Sequence, residues 1–462
     1  MMNLTELRQR ALAAIESTEN REKTSLRERR QTPSQGRETT GVVLRNWGRN
    51  VGGSLYRYIA KADGYGALDR ALGLGPNGLI EEIRRSGLRG RGGAGFLSAT
   101  KWEVCRESKG EKKYVICNGS ESDPLSLSGR TLLEQDVHSV LEGMMIGAYA
   151  VGASRGYVYV NVRHGRAVER LRQGIGELRE AGILGQEVFD TEFRFEVELF
   201  EREGELVCGE ETALISDLEG NGPVPYPRPP FPAQAGLRKM PTLVHNVETW
   251  ANVPAILHKG AEYFREQGTE RSKGTKLLTL CGEIRNPGLI EVPFGMSVRE
   301  IVYGIGGGSR DGKEIKAVQV GGPTGGFLPA DSMDIPLDYE TLGEAGTIVG
   351  SGSIRVVAGE ECMVGLAMEA LDSIHRESCG RCVFGREGTR QLRDILRDIS
   401  EGKGTARDLD FLVELGEGMR AGSMCGLGKT APNPVLTTIR YFREEYESHL
   451  RSKGCPLSRC GN

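Results

Sequence analysis

At 462 residues with a net charge of −3, the chain has room for several domains and is not basic enough to be built around nucleic acid. No apolar run approaches the roughly 20 residues that span a bilayer, and the most apolar stretch, Met144–Ala153, predicts a buried helix. Ten cysteines without a hydrophobic leader point to a reducing compartment, the cytoplasm, with thiols available to metals rather than disulfides.

Residues 1–50 are polar and charged, with a basic cluster at Arg27, Arg29 and Arg30. A short helix over Leu4–Ile15 is expected, followed by an arm that is either solvated or strapped to a partner. Glu6, Glu16, Glu19 and Glu22 argue against an organelle presequence.

Residues 51–270 alternate strand and helix patterns, as an α/β domain does. Strands are expected at Tyr114–Cys117, Gly156–Val162 and Phe193–Phe200, and a helix at Gly165–Ala181. Ahead of them runs SGLRGRGGAGFLSATKW, residues 86–102. Its glycines, among them Gly90, Gly92 and Gly93, expose backbone N–H groups where a ligand comes close, and Arg89 and Arg91 add fixed charge. Phe96 offers a face for a flat ring, and Lys101 follows on the next helix. Asn118, Ser120, Glu121 and Asp123 lie just past the first strand, and Cys208-Gly209-Glu210-Glu211 opens a helix. Carboxylates there either accept hydrogen bonds from ribose or ribityl hydroxyls or simply cap helices. Arg228-Pro229-Pro230-Phe231-Pro232 is a stiff segment that suits a purine clamp or a plain connector.

Residues 271–358 turn to short β-rich runs with one short helix near Ser297–Ile305, a small β-grasp pattern. Gly321–Gly326 reads as a turn, because no lysine follows in phosphate-loop spacing. Residues 359–452 are helical, with helices expected at Cys362–Arg376, Arg386–Ile399, Ala406–Arg420 and Asn433–Leu450. In an antiparallel bundle alternate joints share an end, so Cys379, Cys382 and Cys425 converge. Three thiols so placed suit an iron–sulfur cluster or zinc, the alternative being buried inert cysteines. A tail, residues 453–462, carries Cys455 and Cys460.

The order GLRGRGGAGF with Lys101, CGEETALI at 208–215, RPPFPAQAGL at 228–237 and ESCGRC at 377–382 resembles the NADH-oxidising flavoprotein subunit of respiratory complex I. It is more similar still to that subunit's relatives in soluble NAD-linked hydrogenases and formate dehydrogenases. The resemblance implies a Rossmann-like FMN domain, a small β-grasp domain of SLBB type, and a four-helix bundle holding a [4Fe–4S] cluster. It places the flavin at Gly90, Arg91, Gly92, Gly93 and Lys101, with Asn118, Ser120 and Glu121 beside it. Gly209, Glu210, Val244, His245 and Asn246 would close that pocket. Phe96 and Phe231 would sandwich the dinucleotide, while Asp123, Glu211 and Arg228 orient it, with Glu211 and Asp123 nearest the chemistry. Hydride would pass from nicotinamide C4 to flavin N5, and electrons would leave singly for the cluster and a thioredoxin-like [2Fe–2S] subunit. A further catalytic or electron-transfer subunit would complete the assembly, with no membrane span in this chain.

The chain departs from the pattern where ligands belong. The third cysteine of CxxCxxC is Gly385, leaving Cys379, Cys382 and Cys425 as matched metal ligands. The expectation is a [4Fe–4S] cluster with a non-cysteine or missing fourth ligand, a [3Fe–4S] cluster, or no cluster. His375 and Glu377 are the stand-ins at hand; Cys362, about 25 Å away along a continuous helix, is a poor one. Ser120 replaces an Asp, Leu206 a Tyr and His245 an Asn, which places a titrating imidazole near the flavin. Leu97-Ser98-Ala99 replaces Pro-Thr-Gly. Cys455 and Cys460 resemble the start of a ferredoxin segment, either a remnant or half of a shared metal site. Two functions lead at this point, ahead of a third, a zinc-binding protein with an unused nucleotide fold. One is an NAD(H)-linked flavoprotein subunit, and the other a partly degenerate paralogue that relays electrons or docks a partner without oxidising NADH.

Overall fold

A computed structural model of the chain describes residues 3–25, 41–49, 51–121, 123–185, 187–204 and 206–460. Four short apolar runs form the first sheet: β1 Tyr114–Gly119, β2 Arg155–Asn161, β3 Glu196–Arg202 and β4 Thr242–Asn246. All pair in parallel, in the order β3-β2-β1-β4. Helices Val137–Val151 and Val247–Lys259 pack on it, Gly66–Ser86 packs on those two helices, and Val137–Val151 is buried on nearly every face. The strand order reverses between β1 and β4, and crevices at such switch points, beyond the carboxyl ends of the strands, are where open α/β sheets take ligands. Asn118 and Asn246 pair across that point. β3 begins three residues later than its pattern indicates, and β4 carries only five residues, too few for an alternation to show.

The second sheet is mixed, in the order β6-β5-β9-β7-β8, from β5 Thr275–Gly282, β6 Gly288–Pro293, β7 Ile315–Val320, β8 Phe327–Pro329 and β9 Ser353–Ala358. It has its own core around Leu278, Val318 and Ile354. The expected short helix is a π-type turn, Glu300–Ile305, and Gly321–Gly326 does turn the chain between β7 and β8. Helices Met363–Arg376, Thr389–Ser400, Ala406–Gly422 and Asn433–Ser452 make the bundle around Leu371, Leu392, Leu396 and Leu412.

The N-terminal region differs from a charged arm. Its helix runs Leu4–Ser25 and buries Leu4, Leu7 and Ala11 in the first core. Residues 41–49 are also anchored: the N–H groups of Val42, Val43 and Leu44 donate to the Glu291 carboxylate on β6 at 2.8–2.9 Å. Three backbone donors on one carboxylate, together with Val42, Val43 and Leu44 buried in the first core, explain why this segment docks instead of dissolving. Arg27, Arg29 and Arg30 lie outside the described residues. Among those described, no helix is long and apolar enough to cross a membrane.

Candidate functional site

The glycine run closes into a loop at the switch point. The N–H of Gly90 donates to Phe96 O at 2.8 Å, and that of Ser98 to Leu88 O at 2.9 Å. Gly95 has φ +65°, and a Cβ there would sit 2.6 Å from the Tyr339 ring. A Cβ on Gly92 would lie 3.0 Å from Asn246 Cβ, whereas one on Gly93 would meet nothing within 4 Å. The loop is thus packed against Asn246 and Tyr339 and bare at Gly93, where it leaves room for close approach to the backbone. Tyr339 was not visible from sequence; its hydroxyl donates to Gly90 O at 2.8 Å from some 250 residues away.

Neither loop arginine offers its charge to the cleft. The Arg91 side chain is wholly buried, donates to Lys273 O at 2.6 Å and Arg89 O at 3.0 Å, and lies over the Phe294 ring at 4.8 Å. Arg89 pairs with Glu340 at 2.7 Å and covers Tyr339. Both fasten the loop to the second domain, and the Arg91 N–H is itself given to the Thr249 hydroxyl at 2.8 Å, so the open amides lie beyond it towards Gly93. This corrects the reading of two phosphate-facing cations.

Lys101 is the cation that remains. From helix Ser98–Glu107 its ammonium donates to Glu211 Oε2 at 2.9 Å and to Val244 O at 3.0 Å. Glu211 opens helix Glu211–Leu218, and its other oxygen accepts from Arg228 at 2.7 Å. Burial disfavours the charged carboxylate, but Lys101 and then Arg228 outweigh it and hold Glu211 below its usual range. Glu210 is the N-cap, accepting from the N–H groups of Thr212 and Ala213 at 2.9 and 3.0 Å. Arg228 reaches over Phe231 at 5.9 Å, and Phe231 and Phe96 are 51% and 57% exposed, two uncovered ring faces.

The other predicted residues hold the cleft's walls. Asn118 donates to Gly209 O at 2.9 Å and accepts from the Ser120 hydroxyl at 2.9 Å, stitching β1 to the 206–209 turn. Asn246 caps helix Val247–Lys259. Glu121 caps helix Ser128–Gln135, taking the N–H groups of Gly129 and Arg130, and burial pushes its carboxyl up. Asp123, expected to orient a dinucleotide, instead accepts hydrogen bonds from Ser351 and Ser353 on the second domain and from the Leu125 N–H. Gly322 admits it, since a Cβ there would be 2.6 Å from Asp123 Oδ2.

His245 does not titrate beside a ligand. It lies in the core, where its Nε2 accepts from the Trp102 indole N–H at 2.9 Å. Burial, then Lys101, holds its imidazole well below the usual value, so it stays neutral. The unfolded chain takes up this proton below about pH 6.5 and the native chain does not, so stability falls as the pH drops through that point. Between pH 7.5 and 5.5 this group alone is expected to remove about 1.4 kcal/mol. Urea titrations at both pH values should show the loss shrinking by that amount in His245→Gln. Equal pH dependence in both proteins would refute it.

Cys379, Cys382 and Cys425 line one cavity, together with Val207, Ile374, Ser378, Leu427 and Gly428. Cys379 and Cys382 follow the first bundle helix, and Cys425 precedes Gly426–Thr430, so both joints meet at the end that faces the first domain. Gly385 also lines the cavity. Its N–H donates to Cys382 Sγ at 3.3 Å, and a Cβ there would lie 3.1 Å from that sulfur. The stand-ins do not line it: Glu377 accepts from Leu206 N–H at 2.7 Å, and His375 Nδ1 bonds the Thr389 hydroxyl at 3.0 Å. Three convergent soft donors beside a backbone N–H fit an iron–sulfur cluster with one position not supplied by cysteine. Cys362 is at the opposite end of the bundle, as its separation in sequence indicates, and there it joins Cys455, Cys460 and His449, a partner the sequence pattern did not reveal.

The cleft and the cysteine cavity share a wall. Val207 lines the cavity, and Gly209, two residues on, is bonded to Asn118, a span of at most about 7 Å of chain.

Residues 83–255 match the family model described as the Nuo51 FMN-binding domain, 277–328 the SLBB domain, and 365–449 the NADH-ubiquinone oxidoreductase-F iron-sulfur binding region. The chain is 46% identical to NADP-reducing hydrogenase subunit HndC of Solidesulfovibrio fructosivorans, over 91% of its own length and 85% of the relative's. It belongs to this family of FMN- and iron–sulfur-binding oxidoreductase subunits. A subunit of the NADH-quinone oxidoreductase of Escherichia coli (strain K12) is 39% identical over 86% of this chain and 90% of its own. Among solved structures, a chain of the NAD+-reducing [NiFe]-hydrogenase in the H2-reduced state superposes with a TM-score of 0.76 at 32% identity. That alignment covers 85% of this chain and 65% of the hydrogenase chain, so this chain spans about two thirds of its length. The family's three regions coincide with the switch-point cleft, the second sheet and the bundle, so the Rossmann-like, β-grasp and helical architecture expected from sequence is the one observed.

Proposed function

We propose that this chain is the NAD(H)-linked flavoprotein subunit of a multisubunit oxidoreductase, with FMN in the switch-point cleft and an iron–sulfur centre at Cys379, Cys382 and Cys425. FMN, when bound, supplies the conversion between a two-electron hydride and single electrons. The chain's own residues bind and orient. Bare amides around Gly93 take the flavin phosphate side, Lys101 anchors a polar edge, and Phe96 and Phe231 stack the dinucleotide. Glu211, kept ionised by Lys101 and Arg228, accepts ribose hydroxyls and disfavours an added phosphate, which favours NAD(H) over NADP(H). A centre held by Cys379, Cys382 and Cys425 would supply the exit for single electrons, towards a thioredoxin-like [2Fe–2S] subunit and a further redox subunit. The observation that supports this reading is the shared wall at Leu206–Gly209: Val207 lines the cysteine cavity and Gly209, two residues on, is bonded to Asn118 at the cleft.

Anaerobically purified protein should release FMN on denaturation and reduce a viologen with NADH. Flavin-loaded protein inert to both NADH and NADPH would overturn the reading. The open ligand position makes a second prediction. Gly385→Cys, whose sulfur would enter beside Cys382, is expected to raise bound iron by about one atom per chain. Iron and sulfide analysis checks this, and an unchanged iron content would reject a three-iron centre in the parent protein.

A further inference from the structure

The bundle's far end gathers a second donor set that the flavin and iron–sulfur chemistry does not use. Cys362 caps helix Met363–Arg376, His449 sits in the last turn of Asn433–Ser452, and Cys455 and Cys460 come from the tail. One donor atom from each lies within 4.8 Å of all the others. Cys362 Sγ is 3.2 Å from Cys460 Sγ and 3.4 Å from His449 Nε2, and His449 Nε2 is 3.3 Å from Cys460 Sγ. A tetrahedron with metal–sulfur bonds of about 2.3 Å and a metal–nitrogen bond of about 2.05 Å has edges of roughly 3.8 and 3.5 Å. The observed separations bracket those edges, so the four donors surround a point that suits one small ion. A multi-iron cluster needs its ligands spread around several metal atoms, and these converge too tightly for that.

The surroundings orient the donors. His449 Nδ1 lies 2.7 Å from Glu445 O and donates its proton there, which leaves the Nε2 lone pair directed at the sulfurs. The Glu445 carboxylate accepts from Met363 N–H at 3.0 Å and pairs with Lys316 at 2.7 Å, fixing the histidine's helix to Cys362's. Arg459 N–H donates to Cys455 Sγ at 3.4 Å, and its guanidinium pairs with Glu361 at 3.0 Å and Glu360 at 3.3 Å. Gly365 lets the tail approach, since a Cβ there would already touch Cys460 Sγ at 3.4 Å.

We propose that Cys362, His449, Cys455 and Cys460 form a four-coordinate structural zinc site that pins the C-terminal tail across the far end of the bundle. Three thiolates and one imidazole are a borderline-soft tetrahedral set that selects zinc, and four protein ligands leave no open position for catalysis. The site carries no electrons and acts as a clamp, because ligands from three separate segments are held by one ion.

The test uses the full chain, purified anaerobically with its flavin and iron. Elemental analysis should find one zinc per chain beyond the iron, and zinc-edge X-ray absorption should give three sulfurs and one nitrogen. Cys460→Ser is expected to lose the zinc at least tenfold more readily to a chelator while keeping flavin and iron, and to be cut faster by trypsin at the already exposed Lys453 and Arg459 once the tail is released. Should that variant fail to fold, the absorption shell of the unaltered protein decides alone. Absence of zinc, iron in its place, an oxygen-rich shell, or a Cys362–Cys460 disulfide would each overturn the proposal. Retention of flavin and iron separates this outcome from failure of the flavoprotein reading.

Discussion

Replacing Lys276 by methionine is expected to destabilise the chain by about 3–5 kcal/mol, although the residue lies outside the cleft. Lys276 stands on β5 and is wholly buried, as is Glu248 in the first turn of helix Val247–Lys259. The ammonium donates to Glu248 Oε2 at 2.5 Å, Leu277 O at 2.9 Å and Ser351 O at 3.4 Å, which uses all three protons. The other Glu248 oxygen accepts Leu277 N–H at 2.9 Å. Burial is the largest influence on both groups, pushing the carboxyl up and the ammonium down, and each is the other's main counterweight. Removing the lysine strands a carboxylate in the interdomain core, two residues from Asn246 at the cleft. The pair Glu248→Gln with Lys276→Met should recover most of the loss, because matched neutral groups carry no stranded charge. Chemical denaturation of both variants measures this. A single variant within 1 kcal/mol of the parent would show that the pair is not what joins the domains.

The parts legible in the sequence were those written in local pattern. Glycines without side chains, a C-x2-C joint and buried apolar strands each fix their own neighbourhood, so the loop at Gly90–Gly93, the joint at Cys379–Cys382 and strands β1 and β2 could be placed. What was hidden depends on partners far along the chain. Arg91 reads as a phosphate cation because nothing near it announces Phe294 and Lys273. Asp123 reads as a substrate carboxylate because Ser351 and Ser353 are more than 220 residues away. His245 looked like a titrating group on account of its position, yet β4 turns it towards Trp102. For Arg91 and Asp123 the cause is the second domain, whose Lys273, Phe294, Ser351 and Ser353 take up side chains that the first domain would otherwise show to a ligand. His245 is instead taken up within the first domain's own core. The fourfold donor set escaped for the same reason: Cys362 and Cys460 are 98 positions apart, and His449 carries no motif. The one usable signal was the pair Cys455 and Cys460 with a histidine six residues upstream.

Lys101→Met is expected to weaken flavin binding by about 2–3 kcal/mol, roughly 30- to 150-fold in Kd, with little effect on folding. The lysine gives two protons to Glu211 and Val244 and has one more for a ligand. Since the loop arginines are turned away, no other cation among the described residues on the glycine-loop side replaces it. The fold survives because Glu211 keeps Arg228 as a partner at 2.7 Å. Lys101→Arg should not rescue binding, since a planar fork cannot reproduce a point charge seated between a carboxylate and a carbonyl. Flavin fluorescence titration reads the affinity. NADH–viologen turnover at saturating FMN then separates lost binding from lost chemistry: a variant that regains its parent rate when loaded has lost only the anchor. One that stays slow has also lost the orientation of Glu211, through which Lys101 acts on the dinucleotide. Parent-like flavin affinity in Lys101→Met would mean that the cleft at the β1–β4 switch point does not hold the flavin.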